Sequence, residues 1–389
     1  MGKFSKNYYI VFIFLSFISI FPQEICFSQE KPPFKVYAES AVLLDGASGQ
    51  VIYEYMPNLR IEPASLTKIV TLDIVFDKIK DGSIKLEDEV VISKKAWQTH
   101  GSKMFIEVGK KVNVEDLIKG VAIVSGNDSS VALAEHISGV EEVFVNKMNE
   151  KIKSMGLINT KFHNSSGLPH PEQYTTALDM AFITWNHLQD NPESLIYYKM
   201  KGFEFNGINQ PNRNGLLWRD NNVDGVKTGH IESAGFHLVA TAKRDLQRFI
   251  AVVLGTKDEF SRENEAYRLL EYGFKNFVTA SLFTRENSMK VVKVWKGKRN
   301  QVALWAEEEG IITVPKEGAK KLTLKENIPE IIYAPIKKGD PVGEIFIYKD
   351  EKPIKKIRLV AGADVAEAGF FKCLWHSIII FFKSLFTWL

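Results

Sequence analysis

The chain has 389 residues, room for two or three domains, with 45% hydrophobic residues and a formal net charge of +3. That charge gives no reason to invoke nucleic acid. Two cysteines, Cys26 and Cys373, exclude a disulfide framework and a cysteine metal cluster, and the eight histidines show no H-E-x-x-H spacing, which disfavours a zinc carboxypeptidase.

Residues 1–28 read as a secretory signal. Lys3 and Lys6 supply the positive region, 8–21 the apolar stretch, and Cys26-Phe27-Ser28 the small residues before cleavage after Ser28. An uncleaved anchor is the alternative. Strands are expected over 41–45 and 51–55, joined by the turn Gly46-Ala47-Ser48-Gly49.

A helix is expected over 64–78, with Pro63 at its start and apolar Leu66, Ile69, Val70, Leu72, Ile74, Val75 and Phe76. It carries Ser65 and Lys68, whose i, i+3 spacing puts both side chains on one face. Ser65 would sit in the first turn, where free N–H groups and the positive dipole end favour developing negative charge. A serine hydroxyl needs a base to become a nucleophile. Lys68 can be that base only if its amine is partly neutral, and a nearby cation, Lys227, is expected to depress its pKa.

Ser125-Gly126-Asn127 ends an apolar helical run over 117–124, and a second helix is expected over 128–137. A hydroxyl and an amide at such a junction can relay a proton and bind a substrate amide. Lys227-Thr228-Gly229 reads as a strand, and the missing side chain of Gly229 would let a peptide pair closely with it. The backbone N–H groups of His230 and Ser65 would form an oxyanion hole. Segments 235–242 and 248–254 read as a closing hairpin, with a helix over 262–274. Strands at both ends with helices between predict an α+β domain over 29–274, one antiparallel sheet covered by helices.

Singly, these strings are weak signals: Ser28-Gln29-Glu30-Lys31 also matches S-x-x-K, and Ser5-Lys6-Asn7 matches S-x-N. In the order S-x-x-K, S-G-N, K-T-G they form the set of serine penicillin-binding proteins and class A β-lactamases. The chain resembles the D-alanyl-D-alanine carboxypeptidases, low-molecular-mass penicillin-binding proteins of the serine peptidase type. The likeness covers Glu62-Pro63-Ala64-Ser65-Leu66-Thr67-Lys68, Ser125-Gly126-Asn127-Asp128, Asn164-Ser165-Ser166-Gly167-Leu168 and Ala177-Leu178-Asp179-Met180-Ala181. It continues through Asn212-Arg213-Asn214, Asp224-Gly225-Val226-Lys227-Thr228-Gly229-His230, Ala234-Gly235-Phe236 and Arg262.

The resemblance implies a β-lactamase/penicillin-binding-protein-like fold and no cofactor. Ser65 would attack the carbonyl between the last two D-alanines of a peptidoglycan pentapeptide stem, Lys68 would take its proton, and water would hydrolyse the acyl-enzyme. β-Lactam antibiotics would acylate Ser65. Arg262 matches the position that binds the terminal carboxylate, a role suited to a guanidinium fork. Two departures stand out: Ile231 where the family often has Thr, and Ser166 where it often has His. The rival readings are a β-lactamase-like hydrolase and a catalytically silent peptidoglycan-binding protein. No class A-type Glu-x-x-x-Asn loop that would position a deacylating water is seen.

Beyond 274 the composition changes. Segments 289–295, 302–305, 311–314, 321–324, 330–334, 342–347 and 354–360 are short, β-branched and punctuated by Gly or Pro, which predicts a small all-β domain over 275–366. The resemblance implies a spacer. The last stretch, 367–389, is rich in Phe, Ile, Leu and Trp, and Lys372, His376, Lys383 and Thr387 share one helix face. This predicts an amphipathic helix lying on a membrane surface, since Lys383 inside the run makes spanning costly. An exported, peripherally anchored protein is expected.

Overall fold

The computed structural model describes residues 34–386, so the expected signal segment 1–28 and the terminal residues 387–389 lie outside the described residues. Five strands make the first sheet: β1 (Ser40–Asp45), β2 (Val51–Tyr55), β3 (Val223–Ile231), β4 (Gly235–Arg244) and β5 (Gln247–Thr256). All pairings are antiparallel, in the order β2-β1-β5-β4-β3. In β5, every residue from Phe249 to Leu254 is apolar and inaccessible to solvent. Its central place is the reason, because a strand covered on both faces has no polar side to alternate with.

One face of the sheet, through Val42, Leu44, Ile250, Val252 and Leu254, packs on a helical layer. That layer holds α1 (Lys68–Lys80), α2 (Val114–Ala122), α3 (Asn127–Ser138) and α4 (Ala177–Asp190). The other face, through Ala41, Leu43, Phe249, Ala251 and Val253, packs on Ala266, Leu269 and Leu270 of α5 (Glu259–Asn276). The period of two thus assigns neighbouring residues to separate cores. In α1, Lys68 to Phe76 are all buried, as in a helix enclosed by its own domain.

Strands Leu322–Asn327, Pro341–Lys349, Lys352–Ala361, Gln301–Ala306, Lys290–Trp295 and Ile332–Tyr333 form, in that order, a second sheet of six strands. A strand absent from the sequence reading, Phe277–Ser281, pairs with Ile311–Pro315. Its residues are only partly buried and lack clean alternation, which hides the strand from pattern reading. Thr279 Oγ1 donates to Asp45 Oδ2 at 2.7 Å, and Thr313 N donates to Gln50 Oε1 at 3.3 Å, tying the second body to the first.

The terminal helix, Phe370–Phe386, is fastened at its base. Lys296 N donates to His376 Nδ1 at 2.8 Å, the imidazole stands edge-on to Trp295, and Lys372 Nζ donates to Lys298 O at 3.3 Å. Two members of the expected polar face therefore turn onto the β domain, while Phe371, Trp375 and Phe382 are exposed. Among the described residues no helix is long and apolar enough to cross a membrane.

Candidate active site

The predicted helix over 64–78 is two elements. Residues Ala64–Thr67 make one 3₁₀ turn, and α1 begins at Lys68. A 3₁₀ turn eclipses residues three apart, so the tighter winding stacks Ser65 directly beside Lys68. Ser65 is half-buried, whereas Lys68 is wholly buried. Lys68 Nζ lies 3.0 Å from Ser65 Oγ, 2.7 Å from Asn127 Oδ1 and 2.5 Å from the Ser166 carbonyl oxygen. Among the described residues no carboxylate bonds to it.

Burial without an ion-pair partner lowers the Lys68 pKa to about 7, helped by the Arg213 guanidinium and opposed by Asp128. The neutral amine then has a matched set of partners. Two N–H groups donate to the Asn127 and Ser166 oxygens, and the lone pair accepts from the Ser65 hydroxyl. For Lys68 burial comes first and Arg213 second, and the expected repulsion between the two amines falls on Lys227. Lys227 is itself pushed well below its ordinary value by burial, then by Lys68, Arg213 and Arg262.

Lys227 Nζ donates to Ser125 Oγ at 2.9 Å and to the Thr228 carbonyl at 3.1 Å. Ser125 sits at the junction before α3 with φ +62°, a left-handed conformation that costs a non-glycine residue about 1 kcal/mol. The turn aims its hydroxyl at the lysine. Asn127 Oδ1 accepts from Lys68 Nζ and its Nδ2 donates to the His100 carbonyl at 2.7 Å, so the carboxamide ties the amine to the neighbouring loop.

β3 is the edge strand of its sheet, with Thr228 and Gly229 buried on it and His230 exposed. A Cβ on Gly229 would stand 3.3 Å from Pro63 O and from Ala64 Cβ. The space left by this glycine therefore admits the serine turn. His230 stacks on Phe236 at 4.0 Å, and Phe236 lies 5.7 Å from the buried guanidinium of Arg262. Arg262 donates from Nη2 to the Arg213 carbonyl at 3.1 Å, while its buried Nε has no partner.

Two contributors were quoted in the sequence strings without a role. Arg213 is one, marked only by Asn212-Arg213-Asn214. The other is the loop Asn164-Ser165-Ser166-Gly167-Leu168. Asn164 Oδ1 accepts from Gly167 N at 2.6 Å and Leu168 N at 3.0 Å, and Thr71 Oγ1 donates to Ser165 O at 2.6 Å. These bonds hold the Ser166 carbonyl over Lys68. Ser166 contributes there through its main chain, so replacing the family's frequent His leaves this contact intact.

His237, on β4 opposite Gly229, fixes the approach to the serine turn. Its Nε2 pairs with Glu62 O at 3.1 Å and its Nδ1 accepts from Gly255 N at 2.9 Å, which requires a neutral ring. Burial lowers its pKa to about 4. Stability is expected to fall as pH drops below the unfolded value of about 6.5, with the loss complete near pH 4, where it reaches about 3 kcal/mol. Urea midpoints at pH 7 and 4.5 measure it. His237→Gln, which can keep both bonds, should flatten that dependence; an unchanged slope would assign the acid loss elsewhere.

Comparison with known proteins follows from this geometry. Residues 26–258 match the S11 peptidase family, described as D-alanyl-D-alanine carboxypeptidase. The chain belongs to that family. Residues 277–367 match the C-terminal domain of penicillin-binding protein 5. The carboxypeptidase is 41% identical over 359 residues, 90% of either chain, to D-alanyl-D-alanine carboxypeptidase DacC of Escherichia coli (strain K12). It is 39% identical over 382 residues, 97% of either chain, to D-alanyl-D-alanine carboxypeptidase DacA of Haemophilus influenzae. Its fold resembles the crystal structure of penicillin-binding protein 5 from Haemophilus influenzae, with a TM-score of 0.83 and 40% identity, covering 87% of this chain and 100% of that one. The carboxypeptidase is a serine-type enzyme with the α+β fold of that protein.

Proposed function

We propose that this carboxypeptidase removes the terminal D-alanine from peptidoglycan stem peptides through an acyl-enzyme on Ser65. The observation that carries the reading is the buried Lys68 amine, free of carboxylate partners and 3.0 Å from Ser65 Oγ. Neutral Lys68 takes the Ser65 proton as Oγ attacks the scissile carbonyl. The backbone N–H groups of Ser65 and His230 receive the oxyanion. Ser125, held by Lys227, relays that proton from Lys68 to the departing D-alanine nitrogen, the C–N bond breaks, and Lys68 is neutral again. Water, deprotonated by Lys68, then attacks the ester, and Lys68 returns the proton to Ser65 Oγ as the acyl bond breaks. A β-lactam would follow the first half of the same path.

Mass spectrometry of the full chain with penicillin, and separately with a diacetyl-Lys-D-Ala-D-Ala peptide, tests this. One penicilloyl adduct on Ser65 and loss of one D-alanine are expected. Rapid penicillin turnover with an intact peptide would replace the reading with a β-lactamase. Neither adduct nor cleavage would leave a silent binding protein.

Arg262 is assigned the terminal carboxylate, which its unpartnered Nε and neighbouring Arg213 would attract. Arg262→Ala should raise KM for the peptide roughly 10–100-fold, the loss of one charge-assisted hydrogen bond. Acylation by a β-lactam lacking the contact should change far less; equal effects on both would mean structural damage.

We also assign the exposed apolar surface of Phe370–Phe386 to an interfacial membrane contact of an exported enzyme. Removing 369–389 should release active enzyme from membranes, and continued retention would refute the anchor.

A further inference from the structure

Asn127 and Asp128, neighbours at the start of α3, grip one loop in opposite chemical senses. Asn127 donates to it: its backbone N–H to Ser102 O at 2.7 Å and its Nδ2 to His100 O at 2.7 Å. Asp128 accepts from it: Oδ1 from Met104 N at 3.0 Å, and Oδ2 from Phe105 N at 3.0 Å and Ile106 N at 3.4 Å. Oδ1 also accepts from Ser129 N at 2.9 Å and Ser129 Oγ at 3.3 Å. Gly101, at φ +86°, lets the loop close over Asn127, whose Nδ2 would lie 2.6 Å from a Cβ placed there. Phe105 takes φ +69°, a left-handed conformation that the three-amide grip on Asp128 over-determines.

Asp128 is 1% exposed, and among the described residues no cation bonds to it. A buried carboxylate satisfied by neutral donors keeps its field, because such donors spread charge without cancelling it. The groups whose fields reach Lys68 are Arg213, ahead of Leu216–Arg219, and Lys227 on β3, with Asp128 as the anion; Arg262 on α5 acts through Lys227.

We propose that Asp128 is a positioning residue for the acyl transfer: it clamps loop 100–106 so that Asn127 presents Oδ1 to Lys68, and its charge balances the cations gathered around Ser65. The proposal rests on Lys68 as the base. An asparagine cannot replace Asp128, since its single acceptor oxygen serves one side of the loop and its NH₂ would face the other side's N–H groups.

The test is the pH dependence of Ser65 acylation by penicillin in the full-length enzyme, with amide hydrogen exchange over 100–106. In the wild type, the rate should rise with pH through about 7 as Lys68 loses its proton. In Asp128→Asn the anion that favours protonated Lys68 is gone, so the limb should move to lower pH by about one unit. The plateau should fall roughly 10–100-fold as Asn127 loses its placement, and loop exchange should quicken. A merely structural role would lower the rate at every pH and leave the limb in place, which would overturn the electrostatic half. A wild type with no such limb would instead sink Lys68 as base. Should Asp128→Asn fail to fold, Asp128→Glu decides. Its charge stays while its longer arm misplaces the amides, so the limb should hold and loop exchange rise. Wild-type exchange and plateau in that variant would overturn the clamp.

Discussion

Lys68→Met should cut acylation of Ser65 by about 10²–10⁴-fold, the range for loss of a positioned general base. The amine is the only group bonded to Ser65 Oγ among the described residues, and it is held from the other side by Asn127 and Ser166. Removing it leaves a hydroxyl with no proton acceptor. Methionine is chosen because it fills the buried channel with a similar volume and no charge. The sign of the wild-type pH dependence follows from the same geometry. Protonated Lys68 has no lone pair for the Ser65 proton, so activity is absent well below pH 7 and rises as the pH passes about 7. Stopped-flow penicillin acylation of both enzymes from pH 5 to 9 checks this. A Lys68→Met variant that retained the wild-type limb would show that another group titrates there.

Gly167→Ala should be nearly as damaging, although residue 167 bears no reactive group. Gly167 has φ +81°, and a Cβ there would stand 1.8 Å from the Ala64 carbonyl oxygen and 2.4 Å from its carbon. Both atoms are backbone, and Ala64 directly precedes Ser65, so the clash cannot be relieved by a side-chain rotation. The serine turn or the Ser166 carbonyl must move. A stability loss of about 2–4 kcal/mol is expected from overpacking and the left-handed backbone together, with acylation slowed about 10²-fold through misplacement of Ser65. Gly156→Ala is the control, for it shares a positive φ, +75°, but has nothing within 4 Å. It should cost about 1 kcal/mol and leave acylation intact. Equal urea midpoints and rates for the two variants would remove the steric role of Gly167.

Much of the site was legible because its chemistry is written in short strings. Ser65 and Lys68 are linked by helical spacing. Ser125 and Lys227, 102 residues apart, meet only in the fold but are each flagged by a motif. The sheet was readable at its centre, where β5 is an apolar run, and at the 46–49 turn. What escaped detection was of another kind. The Ser166 oxygen on Lys68 is a backbone carbonyl, which every residue has and no sequence can single out. Arg213 stood in a quoted string but nothing in Asn-Arg-Asn says that its charge reaches Lys68.

By itself the sequence determined the family through its motif strings, the candidate pair Ser65 and Lys68, and the division into a helical-sheet body, a β-rich body and an apolar terminal helix. These follow from residue identity and from periods of two and three to four along the chain, which are local properties. The tertiary structure alone decided how the Lys68 amine is tuned. The pKa of a buried amine depends on what surrounds it in space, and its surroundings here come from α3, β3, the 164–168 loop and Arg213. Those segments lie far apart in the chain, and only packing brings their dipoles and charges within reach of one nitrogen.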